Sequence, residues 1–407
     1  MIFSKDQMKT RLNAIIDSEV LDRVADKISI KSNLTHTKLE TTSNARPFLK
    51  QERLIENADV FTGNIERFYG IAQIPVGLIG PLKVNGVYAR GDFEVPLATT
   101  EGALVASYHR GARIIAMSGG ANVLCLSESI TRSPGFIFNN ILESSRFVAW
   151  VSENFEIIKD LAQSTTRFGH LEGFNSVIDG RYVWIIFKFV SGDASGQNMV
   201  TIATDLICQF INQHCPFKPQ QWYIDANMSG DKKATRLSFN TGRGKNMIAE
   251  VTIKADLVKR TLRTTPEEIV AYSQMATMAA IHSGSIGVNA HFANALAALF
   301  ISCGQDVACV AESSVGTSKA SLTDQGDLYV SVSLPNLVVG TVGGGTHLPT
   351  QRESLEIMGC YGKDKSRKFA EICTATVLAG EISIVGAIAG GYFTDAHKKY
   401  GRIKKEV

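Results

Sequence analysis

The sequence predicts a fold of the α/β class with α+β character, in which a large domain surrounds a long buried central helix and carries a small inserted domain. The 407 residues, 44% apolar and 20% charged, have ordinary globular composition and enough length for two or three domains. From Ile269 to Gln305 there is no Asp, Glu, Lys or Arg, as expected for a buried helix. Residues 134–223 alternate strand-like and helix-like segments, which indicates the insert.

The charge and the cysteines exclude several classes of protein. A net charge of +3 is too small to indicate a nucleic acid or an anionic membrane as a partner. The seven cysteines are scattered without a CxxC pair, which argues against a zinc finger, a disulfide framework or another metal site. Such cysteines are typical of a reducing compartment. Because the N-terminus, MIFSKDQMKTRLNAIID, is also too charged for a signal peptide, we expect a cytoplasmic protein.

The chain begins with a charged segment, residues 1–45, whose apolar residues Met8, Leu12, Ile15 and Ile16 recur at helical spacing. We predict a helical N-terminal segment that either packs on the body of the protein or contacts a ligand. Residues 46–133 and 224–380 are predicted to form the large domain. Thr99 or Thr100 can cap a helix, which would place Glu101 in the first turn. An acid at that position can also merely complement the helix dipole.

The insert at residues 134–223 has two features that bear on function. Asp179-Gly180, between two β-rich runs, predicts a hairpin turn. The sequence DASGQNM, Asp193 to Met199, opens a helix after a strand, and such a glycine turn often holds a pyrophosphate. The spacing is not GxGxxG, so this is no Rossmann fingerprint, and a purely structural turn remains the alternative.

The uncharged stretch ends directly in a carboxylate, Asp306. We interpret the stretch as a buried helix rather than a membrane span, because His282, Asn289, His291 and other polar residues would be costly in lipid. Buried acids are rare unless they are paired, so Asp306 needs a cation. The best-placed candidate is the lysine pair that follows Asp231, although adjacent lysines are usually a solvated turn.

Two glycine-rich segments close the chain. Gly343-Gly344-Gly345 follows an apolar strand and predicts a tight loop whose free backbone amides can contact phosphate. A long apolar helix then ends at Gly390-Gly391, and residues 381–407 are predicted to form a C-terminal helix and a mobile tail. The tail carries one titratable histidine, His397. It is either a lid or a frayed terminus.

Blocks of the sequence, in their order and spacing, resemble one family, hydroxymethylglutaryl-CoA (HMG-CoA) reductase, over roughly residues 56–397. The blocks are IPVGLIGPL, PLATTEGALVAS, SGDASGQNM, SGDKK with TGRGK, GSIGVNAHFAN, CGQD and GTVGGGT. The resemblance implies a soluble, NADPH-dependent biosynthetic enzyme that reduces HMG-CoA to mevalonate and CoA with two NADPH. It also implies that the insert is a ferredoxin-like NADP-binding domain, and that the protein is a homodimer or homotetramer with its active site at the subunit interface.

The resemblance assigns roles to individual residues. The catalytic set it implies is Glu101, Lys232, Asp306 and His397. Lys232 would stabilise charge on the carbonyl oxygen with Asp306 as its partner, Glu101 would protonate the alkoxide, and His397 would protonate the departing thiolate, so the lid interpretation of the tail is favoured.

The same resemblance implies the binding residues. Those that match the substrate and CoA site are Ser107, Arg110, Arg132, Asp231, Lys233 and Asn294, with His291 nearby. Those that match the NADPH site are Thr166, Arg167, Phe168, Asp193, Gly196, Asn198, Met199, Gly343, Gly344 and Gly345. Arg167 is a sensible partner for the 2′-phosphate.

Departures from the family pattern leave the acyl group open. Members usually carry a lysine early in the uncharged stretch, where this chain has Gln274 or a neighbour, and many have serine near Asp225. Glu312 stands where glycine is common, and Ala396 replaces the small hydroxyl residue that often precedes the tail histidine. The amide at Gln274 and the extra anion at Asp225 should weaken binding of a carboxylate-bearing acyl group.

Three alternatives therefore stay open: reduction of a different acyl-CoA, NAD-linked oxidation of mevalonate, and a non-catalytic CoA-binding homologue. Arg167 argues against the second, because NAD has no 2′-phosphate to pair with it. The joint presence of the four catalytic residues argues against the third.

Overall fold

The structure, a computed structural model, describes residues 58–395 of the chain. The predicted N-terminal segment 1–45, Ala396 and His397 lie outside the described residues. Between these limits the α/β class is confirmed, since helices pack on a ten-stranded sheet.

The strands form one branched sheet that is antiparallel except for a single pair. They are β1 (Val76–Gly86), β2 (Arg90–Ala98), β3 (Ala121–Arg132), β4 (Gly135–Ile137), β5 (His170–Asp179), β6 (Tyr182–Val190), β7 (Gln221–Tyr223), β8 (Gly244–Ile253), β9 (Thr317–Leu322) and β10 (Leu328–Leu337). The main order is β7-β4-β6-β3-β8-β10-β9, with β5 paired to β6 and β1 paired to β2 and, in parallel, to β3. The hairpin predicted at Asp179-Gly180 is confirmed, since β5 and β6 pair directly across it.

Strand β3 belongs to both branches of the sheet. Its residues 122–129 pair with β8, whereas its last three residues, Ile130 to Arg132, pair with β6. Arg132 therefore ends the strand where the two branches meet. Strands β4 to β7 lie within residues 135–223, together with three of the helices.

The α-helices of the described residues are α1 (Leu104–Met117), α2 (Ile141–Glu153), α3 (Phe155–Gln163), α4 (Gln197–His214), α5 (Arg236–Thr241), α6 (Ala255–Leu262), α7 (Pro266–Ser283), α8 (Phe292–Ser302), α9 (Val310–Ser313), α10 (Pro349–Ile357) and α11 (Ser366–Ala389). Short 3-10 helices cover Ala58–Phe61, Val307–Cys309 and Gly344–His347. Helix α7 shows how local chemistry sets a start: Thr265 and Glu268 form a capping box around Pro266 at the first turn.

Helix α11 is the long buried helix at the centre of the described chain. It packs on α1, on α8 and on strands of the sheet, and its residues are almost continuously buried from Phe369 to Ser383. Helix α1 crosses it at very short distance, since a Cβ at Gly111 would lie 1.9 Å from the carbonyl oxygen of Ala379. Although α11 has the length and composition of a membrane span, 78% of its most apolar window is buried within the protein, as in the core helix of a soluble protein.

The expectation that Ile269–Gln305 forms this central helix is wrong. The stretch is broken into α7 and α8, because Gly284 (φ 73°) and Gly287 (φ 92°) turn the chain between them in conformations that favour glycine. Helix α8 is buried, but Met275, Met278 and Ile281 of α7 are exposed in the described chain. The lack of charged residues predicted that the whole stretch is buried. In the described chain this holds for α8 but not for α7.

The predicted boundary between residues 380 and 381 falls inside the continuous helix α11, and the division into domains stays a prediction. A domain boundary is expected in an exposed linker rather than in a fully buried helix.

Candidate active site

The Lys232 ammonium and the Asp306 carboxylate form an ion pair within one chain. Nζ of Lys232 lies 3.0 Å from Oδ2 of Asp306, and the side chains are 47% and 39% exposed. The predicted cation for Asp306 is thus confirmed, whereas the expectation that Asp306 is buried is wrong for the described chain. Asp306 caps the 3-10 helix that follows it, because its Oδ1 accepts a hydrogen bond from the N–H of Ala308 at 3.1 Å. That contact directs its other oxygen at the lysine.

Lys232 has a strained backbone and a strongly held charge. Its φ of 58° lies in the left-handed region, which residues other than glycine rarely adopt. The pKa of Lys232 is raised because Asp306 accepts its hydrogen bond and supplies a negative charge, while partial burial opposes this. The ammonium therefore stays charged at neutral pH, as a group that stabilises an oxyanion must.

Arg132, the predicted partner of a substrate carboxylate, faces two carboxylates of the chain itself. Its Nη1 donates to Oδ2 of Asp225 at 2.5 Å and to Oδ2 of Asp231 at 3.3 Å. The Arg132 side chain is 9% exposed and that of Asp225 is 33% exposed. Nε of Arg132 is buried without a hydrogen-bond partner. Lys233 lies on the exposed side of this loop, where its Nζ donates to the carbonyl of Asp231 at 3.0 Å.

Arg243, which the sequence analysis did not single out, lies beneath this loop and is fully buried. Its guanidinium donates to Asp231 at 2.8 Å, to Gln197 at 2.8 Å and to Glu312 at 2.6 Å. The block TGRGK contains this arginine, but only the fold shows that its side chain is buried. The departure at Glu312 therefore supplies a buried partner to that arginine.

The carboxylates of Asp231 and Glu312 and the thiol of Cys309 have ligand atoms within 4.8 Å of one another, a grouping that could bind a metal ion. The two carboxylates already face the Arg243 guanidinium, which supplies their positive charge. Burial raises the pKa of the Cys309 thiol, followed by the charges of Glu312 and Asp306, and a metal would need the thiolate. These residues are therefore better described as an ion-pair network than as a metal centre.

Several predicted substrate residues line a cavity of about 340 Å³ between α1, α8 and α11. Its lining includes Glu101, Ser107, Tyr108, Arg110, His291 and Asn294. The guanidinium of Arg110 is held by α11, since its Nη2 donates to the carbonyl of Ser383 at 2.7 Å and its Nε to the hydroxyl of that residue at 3.0 Å. Ser107 Oγ lies 2.9 Å from the same hydroxyl.

Glu101 lies before α1 and not in its first turn, so that expectation is wrong. Ala103 (φ 73°) is the N-cap of the helix, and the N–H of Glu101 instead donates to Oγ1 of Thr99 at 3.0 Å. The Glu101 carboxylate accepts a hydrogen bond of 3.3 Å from Nδ2 of Asn294. The structure thus brings these two predicted residues together at the mouth of the cavity.

A buried carboxylate fixes His291 at the wall of this cavity. Glu381 is 1% exposed and accepts hydrogen bonds from the backbone N–H groups of Ala290 and His291, each at 2.9 Å. Its Oε1 also lies 3.0 Å from Nδ1 of His291, whose ring stacks on Tyr108 at 5.4 Å. Burial, then the charges of Glu381 and Glu101, raise the pKa of Tyr108 well above its ordinary value.

The Glu101 and Lys232 clusters lie at opposite ends of α8. Asn294, the partner of Glu101, is in the first turn of this 11-residue helix, and Asp306 follows its C-terminus. A helix of that length spans about 16 Å. Within one chain, the proposed proton donor is therefore far from the lysine–aspartate pair.

The predicted nucleotide residues of the insert form two exposed turns. Oγ1 of Thr166 accepts hydrogen bonds from the N–H groups of Phe168 (3.3 Å) and Gly169 (3.2 Å), and this turn leaves the Phe168 side chain 75% exposed beside Arg167. Helix α4 begins after Gly196 (φ 84°), with no side chain capping its first N–H groups, as predicted for a helix that follows a glycine turn. Asn198 and Met199 lie in its first turn.

Asp193 has a different placement from the other predicted nucleotide residues. Its carboxylate accepts hydrogen bonds from the backbone N–H groups of Asp364, Lys365 and Ser366 at 2.7 to 3.1 Å. Burial raises the pKa of Asp193, but these bonds outweigh it and leave the pKa lowered. The side chain therefore joins the β6–α4 turn to the start of α11.

The glycine loop lies directly against the segment that carries Asp306. A Cβ at Gly304 would lie 2.3 Å from the carbonyl oxygen of Gly345, so only glycine permits this approach. Gly343 and Gly344 have φ values of 71° and 55°. The segment that joins β10 to Gly343 also packs against the β6–α4 turn, because a Cβ at Gly340 would lie 2.5 Å from the N atom of Ser195. The Gly343–Gly345 loop, the segment that carries Asp306 and the β6–α4 turn are thus neighbours in the fold.

The chain is similar throughout its length to known enzymes. A profile of the family described as hydroxymethylglutaryl-coenzyme A reductase matches residues 19–402. The 3-hydroxy-3-methylglutaryl-coenzyme A reductase of Methanocaldococcus jannaschii is 44% identical over 83% of this chain and 85% of its own. That of Aeropyrum pernix is 41% identical over 94% of this chain and 96% of its own.

The fold is shared with more distant solved structures. The class II 3-hydroxy-3-methylglutaryl-CoA reductase of Streptococcus pneumoniae, bound to NADPH in open conformations, superposes with a TM-score of 0.65 at 17% identity. The likeness covers 83% of this chain and 92% of the other. Taken with the family match across almost the whole sequence, these relationships establish that the chain belongs to the hydroxymethylglutaryl-coenzyme A reductase family.

Proposed function

We propose that this protein is an HMG-CoA reductase, which converts HMG-CoA, two NADPH and two protons into mevalonate, CoA and two NADP⁺. The observation that carries the proposal is the ion pair of 3.0 Å between Lys232 and Asp306. It sets a donor that stays charged at neutral pH beside a segment that packs closely on Gly345. Membership of the family supports the same activity.

Each reduction places negative charge on a carbonyl oxygen, and Lys232 is the group that stabilises it. A donor fixed in advance is worth several kcal/mol at such a site, about 2.7–4 kcal/mol where one has been removed from an oxyanion hole. Asp306 keeps the ammonium charged and orients it. Glu101, oriented by Asn294, supplies a proton to the alkoxide, and His397 of the tail supplies one to the departing thiolate.

The cavity of about 340 Å³ between α1, α8 and α11 is the proposed entry for CoA. Ser107 and Arg110 lie on one wall and offer a hydroxyl and a cation to the pantetheine and phosphate groups. The acyl group then extends toward Arg132 and Lys233, which are the cations proposed to bind its free carboxylate.

The two exposed turns of the insert fit a dinucleotide. The uncapped N–H groups at the start of the 18-residue helix α4 suit a phosphate, and the exposed ring of Phe168 offers a stacking surface. Arg167 is the proposed partner of the 2′-phosphate, which would select NADPH over NADH. The bound nucleotide supplies hydride. Residues 134–223 are accordingly proposed to be the NADP-binding domain.

We propose a cytoplasmic homodimer or homotetramer in which Glu101 of one subunit completes the Lys232–Asp306 site of another. The separation of the two clusters along α8 supports this arrangement. So does the exposed apolar face of α7, formed by Met275, Met278 and Ile281. The seven cysteines are all free, which fits a reducing compartment.

The test is NADPH oxidation by the purified protein with HMG-CoA. We expect two NADPH consumed per CoA released, little turnover with NADH, and a loss of the NADPH preference in Arg167→Ala. Lys232→Ala should lose turnover while it still binds CoA. Absence of turnover in a wild-type protein that binds both NADPH and HMG-CoA would refute the proposal.

A different acyl-CoA is the second candidate substrate, and one observation favours it. Asp225 already occupies the Arg132 guanidinium, and Gln274 lies exposed on α7 where the family usually offers a lysine. A CoA thioester without a free carboxylate would not have to displace Asp225. Comparing kcat/KM of HMG-CoA with that of such a thioester decides between the two.

A further inference from the structure

One buried guanidinium ties together three segments that are far apart in sequence. Arg243 donates through Nη2 to Oδ1 of Asp231 and Oε1 of Gln197, each at 2.8 Å, and through Nη1 to Oε1 of Glu312 at 2.6 Å. Asp231 directly precedes the paired lysine, and Glu312 is in α9, the short helix beyond the paired aspartate. Gln197 is the first residue of α4. The segments that carry Lys232 and Asp306 are thus joined twice, by the ion pair between these two residues and by the hydrogen bonds of Arg243 to Asp231 and Glu312.

Only an arginine can make this set of contacts. The guanidinium is a planar fork with five donors, and here it bonds three acceptors on three segments at once. Arg243 and Glu312 are both fully buried, so their charges depend on one another. Removing one member of a buried ion pair leaves an uncompensated buried charge, which strongly destabilises the arrangement around it.

Glu312 also lies close to the backbone of Lys232. Its Oε2 is buried without a hydrogen-bond partner. Burial raises the pKa of the Glu312 carboxyl, while the Arg243 guanidinium and the backbone N–H of Lys232 oppose that shift. Lys232 itself has a left-handed φ of 58°. A strained residue of this kind persists only where the surrounding structure dictates its conformation. The residue before Lys232, Asp231, is held by Arg243, and Arg243 is in turn held by the Glu312 carboxylate.

We propose that Arg243 and Glu312 are positioning residues that hold Lys232 in its strained conformation against Asp306, and that Gln197 extends the same network to the nucleotide-binding helix. The roles of the lysine and the aspartate in this statement rest on the proposed function. Neither positioning residue touches substrate. They act by fixing where the ammonium lies relative to the reacting carbonyl, for which an error of ~1 Å can cost about a hundredfold in rate.

The test compares two glutamates that are equally buried. Glu312→Gln removes the charge and keeps the shape beneath the lysine loop. Glu371→Gln is the matched control, because Glu371 is also fully buried but accepts its hydrogen bonds from the backbone of residues 87–89, in the β1–β2 turn. For each variant we measure kcat, both KM values, the melting temperature and the amide hydrogen exchange of the peptide 229–236.

The expected result for Glu312→Gln is a fall of kcat of roughly ten- to hundredfold. Both KM values should stay within about threefold of wild type, because binding groups are not touched. Peptide 229–236 should exchange faster. Glu371→Gln should lower the melting temperature and leave kcat and that peptide unchanged. Arg243→Lys, which keeps the charge but loses the fork, should reproduce the kcat effect if it folds.

Two outcomes would overturn the proposal. One is a Glu312→Gln variant with unchanged exchange at 229–236 and kcat within twofold of wild type. The other is an equal kcat loss in Glu371→Gln, which would reduce the effect to general destabilisation. If wild type shows no turnover, the proposed function fails, and the exchange measurement still decides whether Glu312 holds the lysine loop.

Discussion

The short ion pair between Arg132 and Asp225 allows an affinity prediction. Nη1 and Oδ2 are 2.5 Å apart, and the guanidinium is nearly buried whereas the aspartate is one-third exposed. A substrate carboxylate that binds Arg132 must first displace Asp225. Asp225→Ser removes the internal competitor and leaves a small hydroxyl, so the variant should bind HMG-CoA more tightly than wild type does.

The magnitude follows from the bond that the substrate gains. A hydrogen bond to a charged group contributes roughly 1.5–3 kcal/mol, and 1.4 kcal/mol corresponds to tenfold in affinity. The KM for HMG-CoA should therefore fall by about ten- to a hundredfold. We expect the lower end of that range, because solvent already weakens the pair at the exposed aspartate.

The assay is steady-state NADPH oxidation with varied HMG-CoA. Asp225→Asn keeps the shape of the side chain without its charge and should give most of the effect. The control is Asp327→Asn, which breaks a remote ion pair of 2.7 Å with Lys254 and should leave KM unchanged. A CoA thioester that lacks the free carboxylate should show the same KM with wild type and with Asp225→Ser.

An unchanged or higher KM for HMG-CoA in Asp225→Ser would refute this reasoning. It would mean that Asp225 orients Arg132 for the substrate instead of competing with it.

Two further predictions concern the catalytic pair and the packing of the core. Asp306 raises the pKa of Lys232, so Asp306→Asn should bring that pKa down. The alkaline loss of kcat, which follows deprotonation of the ammonium, should then occur at lower pH than in wild type; a pH–kcat profile with an unmoved alkaline limb would contradict this. Gly111→Ala would place a Cβ 1.9 Å from the carbonyl oxygen of Ala379 in α11, and should lower the free energy of unfolding by about 1–3 kcal/mol in urea titrations. Gly173→Ala, which meets open space on β5, is its control and should stay within about 0.5 kcal/mol of wild type.

Features governed by neighbouring residues were predictable from the sequence. The Asp179-Gly180 hairpin and the start of α4 after Gly196 follow from turn chemistry, which involves only a few consecutive residues. The pairing of Asp306 with a cation was also predicted, but for a reason that the structure does not bear out, since the carboxylate is 39% exposed rather than buried. The family resemblance then singled out Lys232 from the two lysines that follow Asp231.

Burial was predicted less well, because composition does not reveal which side of a helix other elements cover. Beyond its first turn, helix α7 is as uncharged as α8, yet one face of it is exposed in the described chain. Helix α11 is the buried centre, although two glutamates lie within its buried part. Those glutamates, Glu371 and Glu381, are tolerated because backbone N–H groups of distant turns donate to them. No local pattern reports such partners.

The order and spacing of motif blocks along the chain indicated the family and, through that resemblance, the α/β class and the pairing of Lys232 with Asp306. Tertiary structure decided which side chains share a site. The sequence does not distinguish a buried arginine from a surface arginine. The role of Arg243 is therefore seen only in the folded chain, where Asp231, Gln197 and Glu312 surround its guanidinium. The physical reason is that desolvation and directional hydrogen bonding depend on contacts between distant segments, and only the folded chain creates them.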